Sequence, residues 1–178
     1  MRSVGTMFAY ISSMEAPFRL KLFGDIYVEE TTSKTLRLHR GESVISPHEY
    51  AYIFQLSPNA YALCRVEKEK LDIVFSSGIM FFGAFYAHQV GAVGENEDKY
   101  LIAVLVAGGT LILDDTGHYM LFLSGYPRIT TLYDTFLIVY RPDGVIPSAQ
   151  VYDLDGRLVA EGLPLEVREV ARKIMRGE

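Results

Sequence analysis

The sequence has no tryptophan and only one cysteine, Cys64, among its 178 residues. A single cysteine excludes an internal disulfide framework, so the fold has to be held by a hydrophobic core. The hydrophobic fraction of 49% and the aromatic fraction of 12% exclude an intrinsically disordered chain. A chain of this length can bury one core, and residues 1–178 are therefore expected to form a single globular domain.

Segments that would direct the protein to a membrane or out of the cell are also not expected. The N-terminus has no basic segment followed by a long apolar run, so a cytoplasmic location is expected. The run from 100 to 113 is too short to span a bilayer, and the longer run from 73 to 94 contains His88 and Gln89. Both runs are expected to be buried in the protein, and no membrane partner is expected.

Side-chain amides are scarce, with two Asn and three Gln in the chain. Arginine also outnumbers lysine. Both features indicate a heat-adapted source, although charged residues, at 22%, are not enriched as they are in many hyperthermophile proteins.

Positive charge is scarce in the middle of the chain. The net charge is −5, and residues 73–163 carry four basic and ten acidic side chains. Neutralisation of phosphates by Lys and Arg supplies most non-specific affinity for nucleic acids. General binding to DNA or RNA is therefore not expected.

Short apolar runs rich in Val, Ile, Leu, Phe and Tyr recur along the chain, separated by glycine and aspartate turns. This pattern is typical of consecutive antiparallel strands, and Gly24-Asp25 and Asp155-Gly156 are tight hairpin signals. After Pro164, apolar residues return at helical spacing, at Val167, Val170, Ala171 and Ile174. The predicted fold class is α+β and β-dominated: a single domain of mainly antiparallel, hairpin-connected strands, sandwich or barrel-like, with a C-terminal amphipathic helix.

Two segments are harder to assign. Ser46, Pro47 and Glu49 fit a capping box, which predicts a short helix up to Ser57-Pro58, although Tyr-Ile-Phe is also good strand sequence. Residues 76–91 fit either a buried helix from Ser77 to Gly91 or two strands broken at Gly83.

Asp115, Thr116 and Gly117 follow an apolar strand and resemble the active-site turn of aspartic proteases of the retroviral and pepsin kind. The resemblance covers roughly ten residues and implies that two such aspartates share a proton and activate a water. Here Asp115 would be catalytic, with Thr116 and Gly117 as supports, and the chain would have to dimerise because it has no second triplet. The flanking Asp114 and His118 depart from the family pattern, and a hairpin turn explains the same residues.

The four histidines, His39, His48, His88 and His118, suggest a second hypothesis, a small-molecule or metal site in a barrel similar to that of cupins. Imidazoles on neighbouring strands can converge on one ion, and Glu49 or Asp115 could complete the ligands. Their spacing matches no known ligand motif, so no metal or cofactor is assigned.

Tyrosines and arginines in or beside the central strands favour a third reading, a non-catalytic interaction or structural module. Tyr with Arg is typical of protein interfaces, and the candidate binding residues are Tyr119, Tyr126, Arg128, Tyr133 and Tyr140. The expected partner is a second copy of the chain or another protein, bound through an aromatic sheet face or a free strand edge. Enzymatic activity is not expected on this reading.

Overall fold

The computed structural model describes residues 2–3, 18–67, 69–142 and 145–178. Within these ranges the chain forms seventeen strands in three antiparallel sheets and one C-terminal helix. The predicted β-dominated α+β class with hairpin connections is therefore confirmed. Contacts divide the chain into two compact units: unit 1 is Met1–His88 with Asp115–Gly117, and unit 2 is Gln89–Asp114 with His118–Glu178.

Unit 1 is built on one nine-stranded sheet, in which the order is β2-β3-β4-β6-β7-β8-β9, with β1 on β6 and β5 on β4. The tight turn at Gly24-Asp25 joins β2 to β3, as its sequence predicts. One face buries a cluster that includes Leu38, Ile53 and Leu63. The strands are β1 Arg2–Ser3, β2 Arg19–Phe23, β3 Ile26–Glu30, β4 Leu36–Arg40, β5 Ser43–Val44, β6 Tyr50–Ser57, β7 Ala60–Arg65, β8 Leu71–Phe75 and β9 Met80–Ala84.

The predicted helix from Ser46 to Ser57 is wrong, because this segment ends in strand β6. The Ser46 hydroxyl does accept a hydrogen bond from the His48 backbone N–H at 3.2 Å, as a helix cap would. The chain then extends and pairs with β7, with irregularities in register on both sides of the central part of β6. These irregularities let buried side chains recur every three residues, at Tyr50, Ile53 and Leu56, which imitates helical spacing.

Residues 76–91 form strands rather than a helix. Strand β9 ends at Ala84 and β10 (Tyr86–Val93) begins after Phe85, so the break lies two residues beyond Gly83. Gly83 instead lies at a shift in the register of β8 with β9, and its φ of 86° is favourable for glycine.

Unit 2 contains two four-stranded sheets packed face to face. The first has the order β10-β11-β12-β13 and the second β14-β15-β16-β17. Their facing sides share one cluster, in which Leu101 and Ile112 of the first sheet join Leu137 and Val139 of the second. The remaining strands are β11 Lys99–Val106, β12 Gly109–Asp114, β13 Tyr119–Ser124, β14 Arg128–Leu132, β15 Phe136–Arg141, β16 Ser148–Asp153 and β17 Leu158–Gly162.

The C-terminal helix, α1 (Pro164–Met175), covers the outer face of the second sheet at β16 and β17. Proline is in the first turn, and Glu166 accepts a hydrogen bond from the Leu163 backbone N–H at 3.4 Å. Val167 and Ala171 are buried against Ile138 and Val151. No helix within the described ranges is long and apolar enough to cross a membrane.

Candidate functional site

Strands β14 and β15 present an exposed groove beside helix α1. Alternation along β14 places Arg128 and Thr130 on the outer face of the sheet, where both are exposed, while Ile129 packs into the sandwich. Arg128 lies directly opposite Tyr140 of β15. Two of the five predicted binding residues are therefore cross-strand neighbours.

The groove has a volume of about 430 Å³ and is lined by Arg128, Ile129, Thr130, Tyr140 and Pro142. This volume lies within the range of small-molecule pockets, but the groove is an open surface on a sheet. Apolar and aromatic groups dominate its wall, with one guanidinium at its rim. Such a composition is typical of protein interfaces.

Tyr140 is held in place by the helix. Arg168 Nε donates a hydrogen bond to the Tyr140 hydroxyl at 2.8 Å, and Arg168 Nη2 donates a second. The guanidinium carbon lies 5.7 Å from the centre of the tyrosine ring, within range of a cation–π interaction. A ring fixed in this way loses little conformational entropy when a partner binds.

Strand β14 is also the edge of its sheet, because among the described strands it pairs with β15 alone. An edge strand leaves alternate backbone N–H and C=O groups free to pair with another chain. No proline or lysine lies within Arg128–Leu132, so the edge lacks two common devices that prevent such pairing.

The other three predicted tyrosines lie in different surroundings. Tyr119, the most exposed of them, begins β13 opposite Leu113. The Tyr126 hydroxyl donates to the Val106 carbonyl at 2.7 Å, so this ring covers the turn from β11 to β12. Tyr133 lies in a turn with a φ of 53° and borders a shallow pocket at the end of α1 with Arg172 and Met175. They extend the exposed aromatic surface of unit 2 without lining the groove.

Asp115, Thr116 and Gly117 form the turn between β12 and β13, so the predicted hairpin turn is confirmed. Gly117 has a φ of 93°, a conformation that favours glycine. Asp115 is only 6% exposed, and its carboxylate accepts a hydrogen bond from Asn59 Nδ2 at 3.0 Å, while the Thr116 carbonyl accepts one from Ser77 Oγ at 2.6 Å. A proton-sharing pair would need this carboxylate to face a second copy, and its burial gives the protease hypothesis no support.

The histidines are placed individually. His39 stacks on Tyr27 with ring centres 5.0 Å apart and lies 3.4 Å from a Glu29 oxygen. His48 precedes β6, His88 lies on β10, and His118 is exposed after the β12–β13 turn. Within the described part of the chain, no group of three or more His, Cys, Asp or Glu side chains is placed to hold a metal ion. The geometry therefore lends no support to the metal-site hypothesis.

His88 supplies a prediction for pH dependence. Burial lowers the pKa of its imidazole, so at intermediate pH the unfolded chain binds more protons than the folded chain. Stability is therefore expected to fall as the pH drops through about 6.5, the pKa of an unperturbed histidine. Urea unfolding at about pH 7.5 and pH 5 should show a smaller loss in His88→Gln than in wild type. An equal loss of stability in His88→Gln and wild type would contradict the prediction.

A buried polar network in unit 1 was not anticipated from the sequence. Asp72 of β8 is fully buried, and its carboxylate accepts hydrogen bonds from Arg65 Nη2 at 2.6 Å and from the Tyr50 hydroxyl at 2.5 Å. The Tyr50 hydroxyl also contacts Ser46 Oγ at 2.6 Å, and the Gly83 backbone N–H donates to Asp72 at 2.9 Å. An aspartate alone in the otherwise apolar segment Leu71–Phe75 was the signal that could have revealed it.

The network also explains how Arg65 is positioned. Its side chain is 13% exposed, and the bond from Nη2 is joined by bonds from Nε at 3.1 and 3.2 Å to the two carboxylate oxygens. Charge-assisted bonds of this kind restrict both partners to one geometry.

Neither the comparison with protein-family models nor that with curated proteins finds a match for this chain.

Proposed function

We propose that the chain is a non-catalytic interaction module that forms a homodimer through strand β14 and the groove beside it. The observation that carries the proposal is the combination of an unpaired strand edge with an outer face where Arg128 lies beside the fixed ring of Tyr140. Backbone pairing along the edge supplies affinity, and the aromatic groove supplies specificity. Pairing of two β14 strands would extend the second sheet of unit 2 from four strands to eight.

A two-fold axis at Thr130 is compatible with the charges on this face. In antiparallel pairing around that residue, Arg128 of one copy lies opposite Leu132 of the other. The two Arg128 side chains are then separated by roughly 14 Å along the strands, beyond the Debye length of about 8 Å at physiological ionic strength. Repulsion between them is therefore weak, and the aliphatic part of each arginine can cover a leucine.

Exposed apolar residues at the same end of the sheet enlarge the surface. Arg141 pairs with Ser148, so the connection between β15 and β16 lies beside the end of β15 that carries Tyr140. Val145 and Ile146 of this connection are both exposed. A stable dimer buries about 1,200–2,000 Å² in total, more than the groove alone would provide, and these side chains supply additional apolar area.

Light scattering coupled to size-exclusion chromatography tests the proposal with Thr130→Lys. Wild type is expected to be a dimer. The two lysines would lie opposite each other at the axis, where like charges oppose strand pairing, so the dissociation constant should rise at least about tenfold. The matched control is Ser124→Lys, an exposed position on another edge strand of unit 2, which should remain dimeric.

Two outcomes would overturn the proposal. One is a wild-type protein that is strictly monomeric at about 0.1 mM, because an interface of this size should make the chain dimeric at that concentration. The other is a dimer that Ser124→Lys disrupts and Thr130→Lys does not, which would place the interface at β13.

A further inference from the structure

A second pocket lies in unit 1 and shares no residue with the proposed dimer interface. It has a volume of about 370 Å³, and its wall includes Arg37, His48, Glu49, Arg65 and Glu67. Strands β4, β6 and β7 fix this wall, because Leu36 pairs with Tyr50 and Tyr50 pairs with Arg65 in one row across the sheet. The Val66 backbone N–H donates to the Glu49 carbonyl at 3.1 Å and links two of the segments that line the pocket.

Charges of both signs line this pocket without neutralising one another. Within the described part of the chain, the side chains of Arg37, His48, Glu49 and Glu67 form no hydrogen bond or ion pair. Charged groups that surround one cavity and remain unpaired are available to a ligand. The mixture disfavours a polyanion, which the two glutamates would repel, and a plain cation, which the two arginines would repel.

Arg65 is the one group of the pocket whose geometry is fixed in advance. Asp72 accepts its Nε–H and one hydrogen of Nη2, which leaves three of the five guanidinium N–H groups for another acceptor. These bonds to Asp72 hold the Arg65 side chain in one orientation, which lowers the entropy that it loses when a ligand binds. Planar donors of this kind suit a carboxylate.

An aromatic pocket adjoins the charged one. It has a volume of about 540 Å³, and Arg65, Val66 and Glu67 line both pockets. Tyr52, Phe85 and Tyr86 are each roughly half exposed there, and Lys70 lies 5.8 Å from the centre of the Phe85 ring. Half-exposed rings around one cavity provide a surface on which another ring can stack.

We infer that these two pockets together form a binding site for a zwitterionic amino acid or short peptide that carries an aromatic side chain. Arg37 and Arg65 receive the carboxylate, Glu49 and Glu67 receive the ammonium group, and the aromatic pocket receives the ring. This inference concerns unit 1 and goes beyond the proposed self-association of unit 2. It assigns a ligand class that needs both charges and the ring.

Isothermal titration calorimetry of the full chain tests the inference with L-phenylalanine as the probe. Saturable binding at one site per chain is expected in the millimolar range or tighter. Three comparison compounds each lack one group: phenylpropanoate has no ammonium, phenethylamine has no carboxylate and glycine has no ring. Each should bind at least about tenfold more weakly, because one charge-assisted or stacking contact is lost.

Substitutions in the pocket identify the residues involved. Arg37→Gln and Glu49→Gln should each weaken L-phenylalanine binding at least about tenfold, whereas Arg157→Gln, an exposed arginine of unit 2, should have no effect. Circular dichroism verifies that each variant is folded. The dimer-disrupting Thr130→Lys variant should bind as wild type does, so failure of one proposal is distinguishable from failure of the other. Absence of saturable binding, equal binding of phenethylamine, or wild-type affinity in both pocket variants would overturn the inference.

Discussion

Replacing Asp72 by Asn is expected to lower the free energy of unfolding by about 3–5 kcal/mol. The asparagine has one acceptor oxygen in place of two and turns N–H donors toward the donors of Arg65, Tyr50 and Gly83. The Arg65 guanidinium is then left nearly buried without a counter-charge. Urea unfolding followed by circular dichroism measures the change.

The loss of stability in Asp72→Asn can be compared with that of two further variants. Tyr50→Phe removes the hydroxyl contacts with Asp72 and Ser46 and leaves the Arg65–Asp72 pair intact, so a loss of about 1–3 kcal/mol is expected. Burial, and to a smaller extent the hydrogen bond to Asp72, raises the pKa of Tyr50, so the phenol stays neutral and donates its hydrogen bond. Glu42→Gln removes a charge from an exposed turn and should change stability by less than about 0.5 kcal/mol. An Asp72→Asn variant as stable as Glu42→Gln would show that the network contributes little.

Shortening a buried side chain on either face of strand β15 is expected to destabilise the protein. Leu137 points into the sandwich and Ile138 points toward α1, yet both are fully buried. Leu137→Ala and Ile138→Ala should each cost about 2–5 kcal/mol, because each leaves a cavity between layers that cannot fully close. Leu158→Ala on β17, where the leucine is half exposed, is the matched control and should cost much less. A small effect at Ile138 alone would mean that the helix packs loosely on its sheet.

The same variants test whether the chain behaves as one domain. Asp72 lies in unit 1 and Leu137 in unit 2. If the whole chain unfolds cooperatively, both substitutions shift one common transition. If the two units unfold separately, each substitution shifts a different transition.

Local turn chemistry made several elements readable from the sequence. Gly24-Asp25 and Asp155-Gly156 form tight turns between the strands that flank them, and Gly156 has a φ of 84°. Pro164 begins α1 as expected. These features were predictable because each depends on the conformational preference of one or two residues.

Features that depend on strand register were not predictable. The sequence could name Arg128 and Tyr140 as candidate binding residues, but only the pairing of β14 with β15 makes them neighbours. The irregularities of β6 arise in its pairing with β7, and they gave this strand the apolar spacing of a helix. Asp72 meets its partners across three strands, so no short window of sequence contains the network.

The turn at Asp115–Gly117 has a consequence for how the protein can be divided or synthesised. Its three residues belong to unit 1, although the strands on both sides belong to unit 2. A fragment that stops at His88 would leave Asn59 and Ser77 without their hydrogen-bond partners in this turn. On the ribosome, unit 1 therefore cannot complete its contacts until Gly117 has emerged from the exit tunnel, by which time the Gln89–Asp114 segment of unit 2 is already outside.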